Sequence, residues 1–250
     1  MRQEILDGMS SIEAENGFSV LFACESGSRA WGFASSDSDY DVRGIFAYPR
    51  DNYLSIVPRR DICSRTLPGD LDISCWDIRK ALSHFRKSNA TLFEWLQSPI
   101  FYLDRQNFRD RLWEMRESYF APRVALHHYL GIAKGVLLRL EGEQIRIKQY
   151  FYILRPLLAA EWIAKTQQPP SVEFADLFEQ ATLSAGIRTI IQELWDQKIQ
   201  VTEKDSISLI PELQAYIVQA WEALDEASQQ YEKRETKVEP LNELFRDMLA

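Results

Sequence analysis

The chain has 250 residues, 46% of them hydrophobic and 26% charged, and a formal net charge of −8 at pH 7. That balance suits a soluble protein with a sizeable core, as one large domain or two modest ones, and argues against a polycation that coats nucleic acid without regard to sequence. No apolar run approaches the roughly 18 to 20 residues of a membrane span, and MRQEILDGMSSIEAENG at the start lacks a signal-peptide core, so a cytoplasmic protein is the expectation.

Residues 2–15 have helical spacing, and Asn16-Gly17 supplies a left-handed cap. FSVLFACES then reads as a buried strand that runs directly into GSRAWG. YDVRGIFAY, residues 40–48, alternates and is rich in β-formers. RDICSRT and LDISCWDI flank the turn signal LPGD and predict a hairpin. IRKALSHFRKS resumes helical spacing, with Asn89 expected to end it. From about Phe108 onward long amphipathic segments dominate: FRDRLWEMRESYF, RVALHHYLGIAKGVLLRLE, KQYFYILRPLLAAEWIAKT, AGIRTIIQELWDQKI and ELQAYIVQAWEALDEASQQYEKRE. The fold class expected is α+β, a small mixed sheet with helices followed by a mainly helical half. One cut divides it into residues 1–110 and 111–250.

Cys24, Cys63 and Cys75 have neither CxxC spacing nor an even count, and read as buried thiols. His84, His127 and His128 do not pair at metal-ligand spacing, which argues against zinc. The charge is uneven: 121–167 holds seven Lys or Arg against three Asp or Glu, whereas 168–250 holds seven against sixteen. A basic middle in an acidic chain is compatible with a phosphate-rich ligand held locally.

The stretch GSRAWGFASSDSDYDVRG, residues 27–44, places Asp37, Asp39 and Asp41 at alternate positions, where side chains on a strand share a face. Like charges so placed repel unless a cation sits among them, so the stretch is a solvated acidic loop or a metal site. DSDYD opens like an EF-hand loop, but the required Gly and Glu positions hold Val42 and Tyr48. GSRAWG has the outer frame of a P-loop, but Phe33 and Ala34 stand where Lys and Ser or Thr are needed. The remaining reading uses both halves. The Gly27-Ser28 amides and the Ser28 hydroxyl hold terminal phosphates, and Asp39 with Asp41 ligates two Mg²⁺ that grip a triphosphate.

The pattern of apolar-Gly-Ser, a spacer, then Asp-x-Asp-apolar resembles the DNA polymerase β-like nucleotidyltransferase superfamily. Gly27, Ser28, Asp39 and Asp41 occupy its defining positions. The resemblance implies a third carboxylate from a later strand; Asp72 in DLDISCWDI is the candidate and Asp70, nearer the turn, the competitor. GSRAWGFASSDSDYDVRGIF, DISCWDIRKAL, KSNATLFEWLQSP and KQYFYILRPLLAA followed by Pro169-Pro170 resemble the YcgL-like nucleotidyltransferases, a subgroup with a branch associated with RNA repair. This covers residues 27 to about 170. Ala90 departs from the Pro the subgroup often carries after Asn89.

The resemblance implies transfer of an NMP from an NTP, with ATP the expected donor, to an acceptor hydroxyl such as an RNA 3′ end, releasing pyrophosphate. Asp39, Asp41 and Asp72 then serve as catalytic and metal residues for two Mg²⁺ or Mn²⁺. Arg29 neutralises phosphate or pairs with Asp37, itself a loop cap or a supporting residue. Lys148, Tyr152 and Arg155 fall on one helix face, which binds nucleotide or is simply solvated. Lys80, Lys87, Asn89 and Glu94 match subgroup positions without an assigned role, and Trp31 and Trp95 read as core. The alternatives are a nucleotide-binding regulator without turnover and a toxin–antitoxin component that nucleotidylates a protein. The acceptor is an RNA, a protein or a small molecule.

Overall fold

The computed structural model describes residues 1–35, 38–140, 142–200, 206–232 and 234–249. Asp37 lies outside them. The described chain forms two compact units: Met1–Ala30, Asp39–Phe120 and Arg234–Ala250 in the first, Trp31–Ser38 and Ala121–Lys233 in the second. The sequence reading draws one cut; the units are discontinuous. The fold class is α+β, as expected.

The first unit is built on a five-stranded sheet of β1 (Ser19–Glu25), β2 (Tyr40–Ala47), β3 (Ile62–Leu67), β4 (Leu71–Asp77) and β5 (Phe101–Asp104), in the order β3-β4-β2-β1-β5. β2 and β4 run parallel, and the other neighbours are antiparallel. β3 and β4 form the expected hairpin. Its turn passes through Gly69 at φ +82° and Asp70 at φ +56°, a left-handed step that glycine and aspartate tolerate.

Helix α1 (Arg2–Asn16) ends at Gly17, whose φ of +68° provides the left-handed cap read from the sequence. Its buried Ile5, Met9 and Ile12 recur at i, i+4 and i+7 and pack with Phe18, just before β1, and with Val20, Val42, Phe46 and Ile73 of the sheet. Strand β1 is buried from its second residue onward, and thus covered on both faces. After a short turn α2 (Gly27–Ala30) and α3 (Arg50–Tyr53) come α4 (Ile78–Arg86) and α5 (Ala90–Gln97). Phe85 and Phe93 stack at 4.8 Å between α4 and α5. The sequence expectation that Asn89 ends α4 is corrected by the structure. α4 stops at Arg86, Ser88 turns left-handed, and the Asn89 side chain accepts from the Leu92 N–H, capping α5. A short polar side chain satisfies a helix's first free N–H more readily than it terminates the previous one. FRDRLWEMRESYF likewise breaks at Met115 into α6 (Phe108–Glu114) and α7 (Arg116–Tyr119).

The second unit is helical: α8 (Pro122–Leu137), α9 (Ile147–Thr166), α10 (Phe174–Gln180), α11 (Ala185–Gln200) and α12 (Pro211–Ser228), with a small pair of β6 (Gln144–Arg146) and β7 (Ser206–Ser208). Trp221 on α12 donates to the Leu130 carbonyl on α8 at 3.0 Å. Phe33, only 1% exposed, packs its ring against Phe151 and Phe174, which draws the 31–38 segment into this unit. Helix α13 (Glu239–Met248) belongs to the first unit and packs on α4. Among the described residues no helix is long and apolar enough to cross a membrane. All three cysteines are free, and burial pushes the Cys75 thiol up to about 12.

Candidate active site

Parallel pairing of β2 with β4 sets Asp41 opposite Asp72. Both are half-buried, and one guanidinium serves both. Arg43 donates from one terminal nitrogen to Asp41 Oδ1 and from the other to Asp72 Oδ2, each at 2.8 Å. Arg43 lies two residues after Asp41, so strand alternation puts it on the same face. It also bonds the Val42 and Asp72 carbonyls, at 3.0 and 3.2 Å. Asp70 sits exposed in the hairpin turn, and its carbonyl accepts from Tyr40 N–H at 2.9 Å.

Behind Asp41 is a buried carboxylate. Glu25, the last residue of β1 and fully buried, accepts from the Asp41 backbone N–H at 2.8 Å and from the Tyr102 hydroxyl. Burial is the main cause that holds its carboxyl above the ordinary carboxylate range, and the nearby Asp41 charge adds to it. The Ser26 N–H in turn donates to the Asp41 carbonyl at 2.8 Å. Gly27, at φ +62°, lies against the Asp41 side chain; a Cβ there would stand 2.4 Å from Asp41 Oδ2. The Gly in Gly-Ser is therefore required twice, by its backbone conformation and by this close approach.

Ser28 and Arg29 follow in α2, both half-buried. The Arg29 Nε donates to the Asp39 carbonyl at 3.0 Å, and its guanidinium lies 3.7 Å from the Tyr40 ring centroid. Arg29 thus anchors the backbone at Asp39. Asp39 itself is exposed, one residue ahead of β2. The proposed Arg29–Asp37 pairing falls outside the described residues.

Among the described residues no three His, Cys, Asp or Glu side chains gather into a metal cluster. The donor chemistry of Asp41 and Asp72 nonetheless fits a hard cation. Both carboxylates converge on one positive group, and Mg²⁺ prefers oxygen ligands. Arg43 fills that place as a resident counter-ion.

Lys148 and Arg155 lie on α9, in the second unit. Lys148 is half-buried and Tyr152 is 39% exposed. Arg155 is 3% exposed, donates from Nε and Nη2 to the Val172 carbonyl at 3.2 Å, and lies 4.4 Å from the Trp31 ring. Trp95 is buried and Trp31 half-buried. Sequence reasoning missed Arg43 and Glu25. Glu25 had a signal, a lone carboxylate closing an apolar strand. Arg43 had one in its alternation with Asp41.

Three comparisons bear on this arrangement. The model of the RlaP family, described as the RNA repair pathway DNA polymerase beta family, matches residues 1–247. The uncharacterized protein YcgL of Bacillus subtilis (strain 168) is 36% identical over 250 residues, covering 100% of this chain and 95% of that protein. A crystal structure of a nucleotidyltransferase-like protein from Exiguobacterium sibiricum 255-15 aligns over 99% of this chain and 79% of its own, at 14% identity and a TM-score of 0.34. With a family match running nearly end to end and a full-length relative at this identity, the chain belongs to the RNA repair pathway DNA polymerase beta family.

Proposed function

We propose that this protein moves an NMP from an NTP, with ATP as the expected donor, onto an acceptor hydroxyl at an RNA 3′ end and releases pyrophosphate. Family membership supports a nucleotidyltransferase-like activity. The observation that carries the finer reading is the pair Asp41 and Asp72, opposed across parallel strands and sharing one cation.

In this reading Asp39, Asp41 and Asp72 hold Mg²⁺, with Mn²⁺ as a substitute. When bound, the ions screen the triphosphate and favour attack at its α-phosphorus. The acceptor oxygen forms a bond to that phosphorus as the α–β P–O bond breaks, and the electron pair leaves with pyrophosphate. Asp72 orients the acceptor hydroxyl and takes its proton. The Ser28 hydroxyl donates to the β- or γ-phosphate, and Gly27 leaves its backbone open to approach. Arg29 holds Asp39 in place. Lys148 and Arg155 are proposed nucleotide contacts on the strength of the resemblance alone; Arg155 would have to release the Val172 carbonyl to reach a ligand.

The test follows label from each of the four α-³²P-NTPs, with Mg²⁺, into RNA, protein and small-molecule fractions of a bacterial lysate. Label in the RNA fraction with wild type, and none with Asp41→Asn, is the expected result. Label confined to protein or small molecules would overturn the acceptor. No label from any NTP with folded protein would overturn the transfer itself.

A further inference from the structure

The first unit carries two adjoining cavities that the aspartate pair does not use. One, of about 520 Å³, is walled by Tyr48, Tyr53, Arg59 and Lys80. The other, of about 420 Å³, lies between Arg86 on α4 and Val238 and Phe245 at α13. Arg79 and Ser83 line both. Asp77, beside the first cavity, is five residues beyond Asp72 along β4, about 17 Å at roughly 3.3 Å per residue. The cavities therefore lie at the other end of the strand pair.

Their chemistry differs from that of the acidic chain around them. α4 holds no Asp or Glu, and Arg79, Lys80 and Arg86 recur along it at i, i+1 and i+7. Arg59 adds a fourth cation from the loop before β3. Two carboxylates, Asp61 and Asp77, also line the first cavity; Asp61 is paired with Lys80 at 2.9 Å, so that pair is neutral and Arg59, Arg79 and Arg86 are the cations left to a ligand. Asp77 is buried, accepts from the Tyr53 hydroxyl at 2.7 Å and caps α4 through the Arg79 N–H. The charge open to a ligand is thus positive. Aromatic surface accompanies it: Arg79 lies 4.9 Å from the Tyr53 ring and 5.8 Å from the Phe245 ring, and Arg59 lies 5.1 Å from Tyr48. Ile56, at the rim of the first cavity, is 99% exposed.

We infer that this groove binds a single-stranded polynucleotide. Each cavity has the size that accommodates a nucleoside-sized ligand, roughly 300–1,000 Å³. Arg79, shared by both, stands where a phosphodiester joining two successive nucleosides would lie. Cations track the backbone, while Tyr53, Phe245 and the apolar rim meet bases, the combination that single strands require. An acidic peptide would use the cations but leave the ring-lined volume unfilled. The inference rests on the transferase reading only in that such a strand is the acceptor; its binding needs neither NTP nor metal.

The test is anisotropy of a labelled ten-nucleotide single-stranded RNA with the full chain, without NTP or divalent ion. Expected are binding that weakens with salt, a loss of about tenfold or more in Arg59→Glu and in Arg86→Glu, and a larger loss in the double variant. Both sites are exposed, so their melting temperatures should match wild type. Asp41→Asn should bind as wild type does, so an absent catalytic activity and an absent groove give separate readouts. Equal binding by the double variant overturns the inference. So does competition by AMP or by a polyglutamate peptide at the same concentration of monomer units, which would assign the groove to a free nucleotide or to a protein.

Discussion

Asp41 and Asp72 face each other across the parallel β2–β4 pair, each bonded at 2.8 Å to a different nitrogen of Arg43. If this pair holds the divalent ion, Asp41→Asn and Asp72→Asn each lower transfer by about a thousandfold or more. That is the scale expected when the main electrostatic stabilisation of a reaction is removed. Both proteins remain folded, because an amide keeps the shape of the half-exposed carboxylate. Millimolar Mg²⁺ raises the melting temperature of wild type and not of either variant, since only a species that binds the folded state stabilises it. Equal Mg²⁺ shifts in all three would remove the pair from the metal site.

Arg43 makes a second prediction, opposite in sign. Arg43→Gln leaves two facing carboxylates without their counter-ion, so the melting temperature falls in metal-free buffer. A loss of about 1 kcal/mol for these partly exposed pairs corresponds to roughly 2–4 °C in a chain of this size. Mg²⁺ then restores more stability to Arg43→Gln than it adds to wild type, because it no longer competes with a guanidinium. A Mg²⁺ shift smaller than the wild-type one would show that Arg43 assists the metal.

Gly27 is the most constrained position beside the pair. Gly27→Ala puts a methyl 2.4 Å from Asp41 Oδ2 in a conformation that side chains disfavour. The carboxylate has to turn aside. Transfer falls about a hundredfold or more, and the Mg²⁺-induced thermal shift falls with it. Gly32→Ala is the control: φ there is also positive, at +81°, but a Cβ would meet nothing within 4 Å. It should cost some stability and spare the Mg²⁺ shift. Matching losses in both variants would trace the effect to backbone strain alone.

Glu25 gives a pH signature. Its carboxyl is raised above the ordinary value of 4.5, chiefly by burial, so the folded chain binds this proton more tightly than the unfolded chain does. Its contribution to stability is therefore fully present below the unfolded value and lost as pH rises through the folded one. Glu25→Gln keeps an acceptor for the Asp41 N–H without a charge to bury. Its melting temperature therefore exceeds that of wild type at pH 8, and the advantage shrinks toward pH 4.5. A difference in melting temperature that does not change with pH would mean that Glu25 is not the titrating group.

Much of this site could be read from the chain itself. GSRAWG after an apolar strand, Asp39 just ahead of β2 with Asp41 inside it, and LPGD between two β-rich runs are local patterns, and the described residues of each fall where local chemistry places them. Register is not local. That Asp72 rather than Asp70 stands opposite Asp41 depends on a parallel pairing between segments thirty residues apart. The hairpin turn merely favoured it. The alternation of Arg43 with Asp41 is local, but its second bond, to Asp72 on another strand, is not. Asn89 has the same chemistry whether it ends one helix or begins the next, and only the free N–H of Leu92 decides. The burial of Arg155 depends on Trp31, far away in sequence, so helical spacing alone could present it as a surface cation.

The discontinuity of the first unit bears on the order in which the molecule is assembled. Its α13 segment, within 234–250, leaves the ribosome only after all of residues 121–233. Leu241 and Leu244 of α13 are buried, so until synthesis reaches them α4 has a bare apolar flank. Chains that stop within the helical unit would carry every aspartate of the sheet and still present that flank to solvent. Such products are candidates for proteolysis, and the nascent chain gains its complete first unit only once α13 has been made.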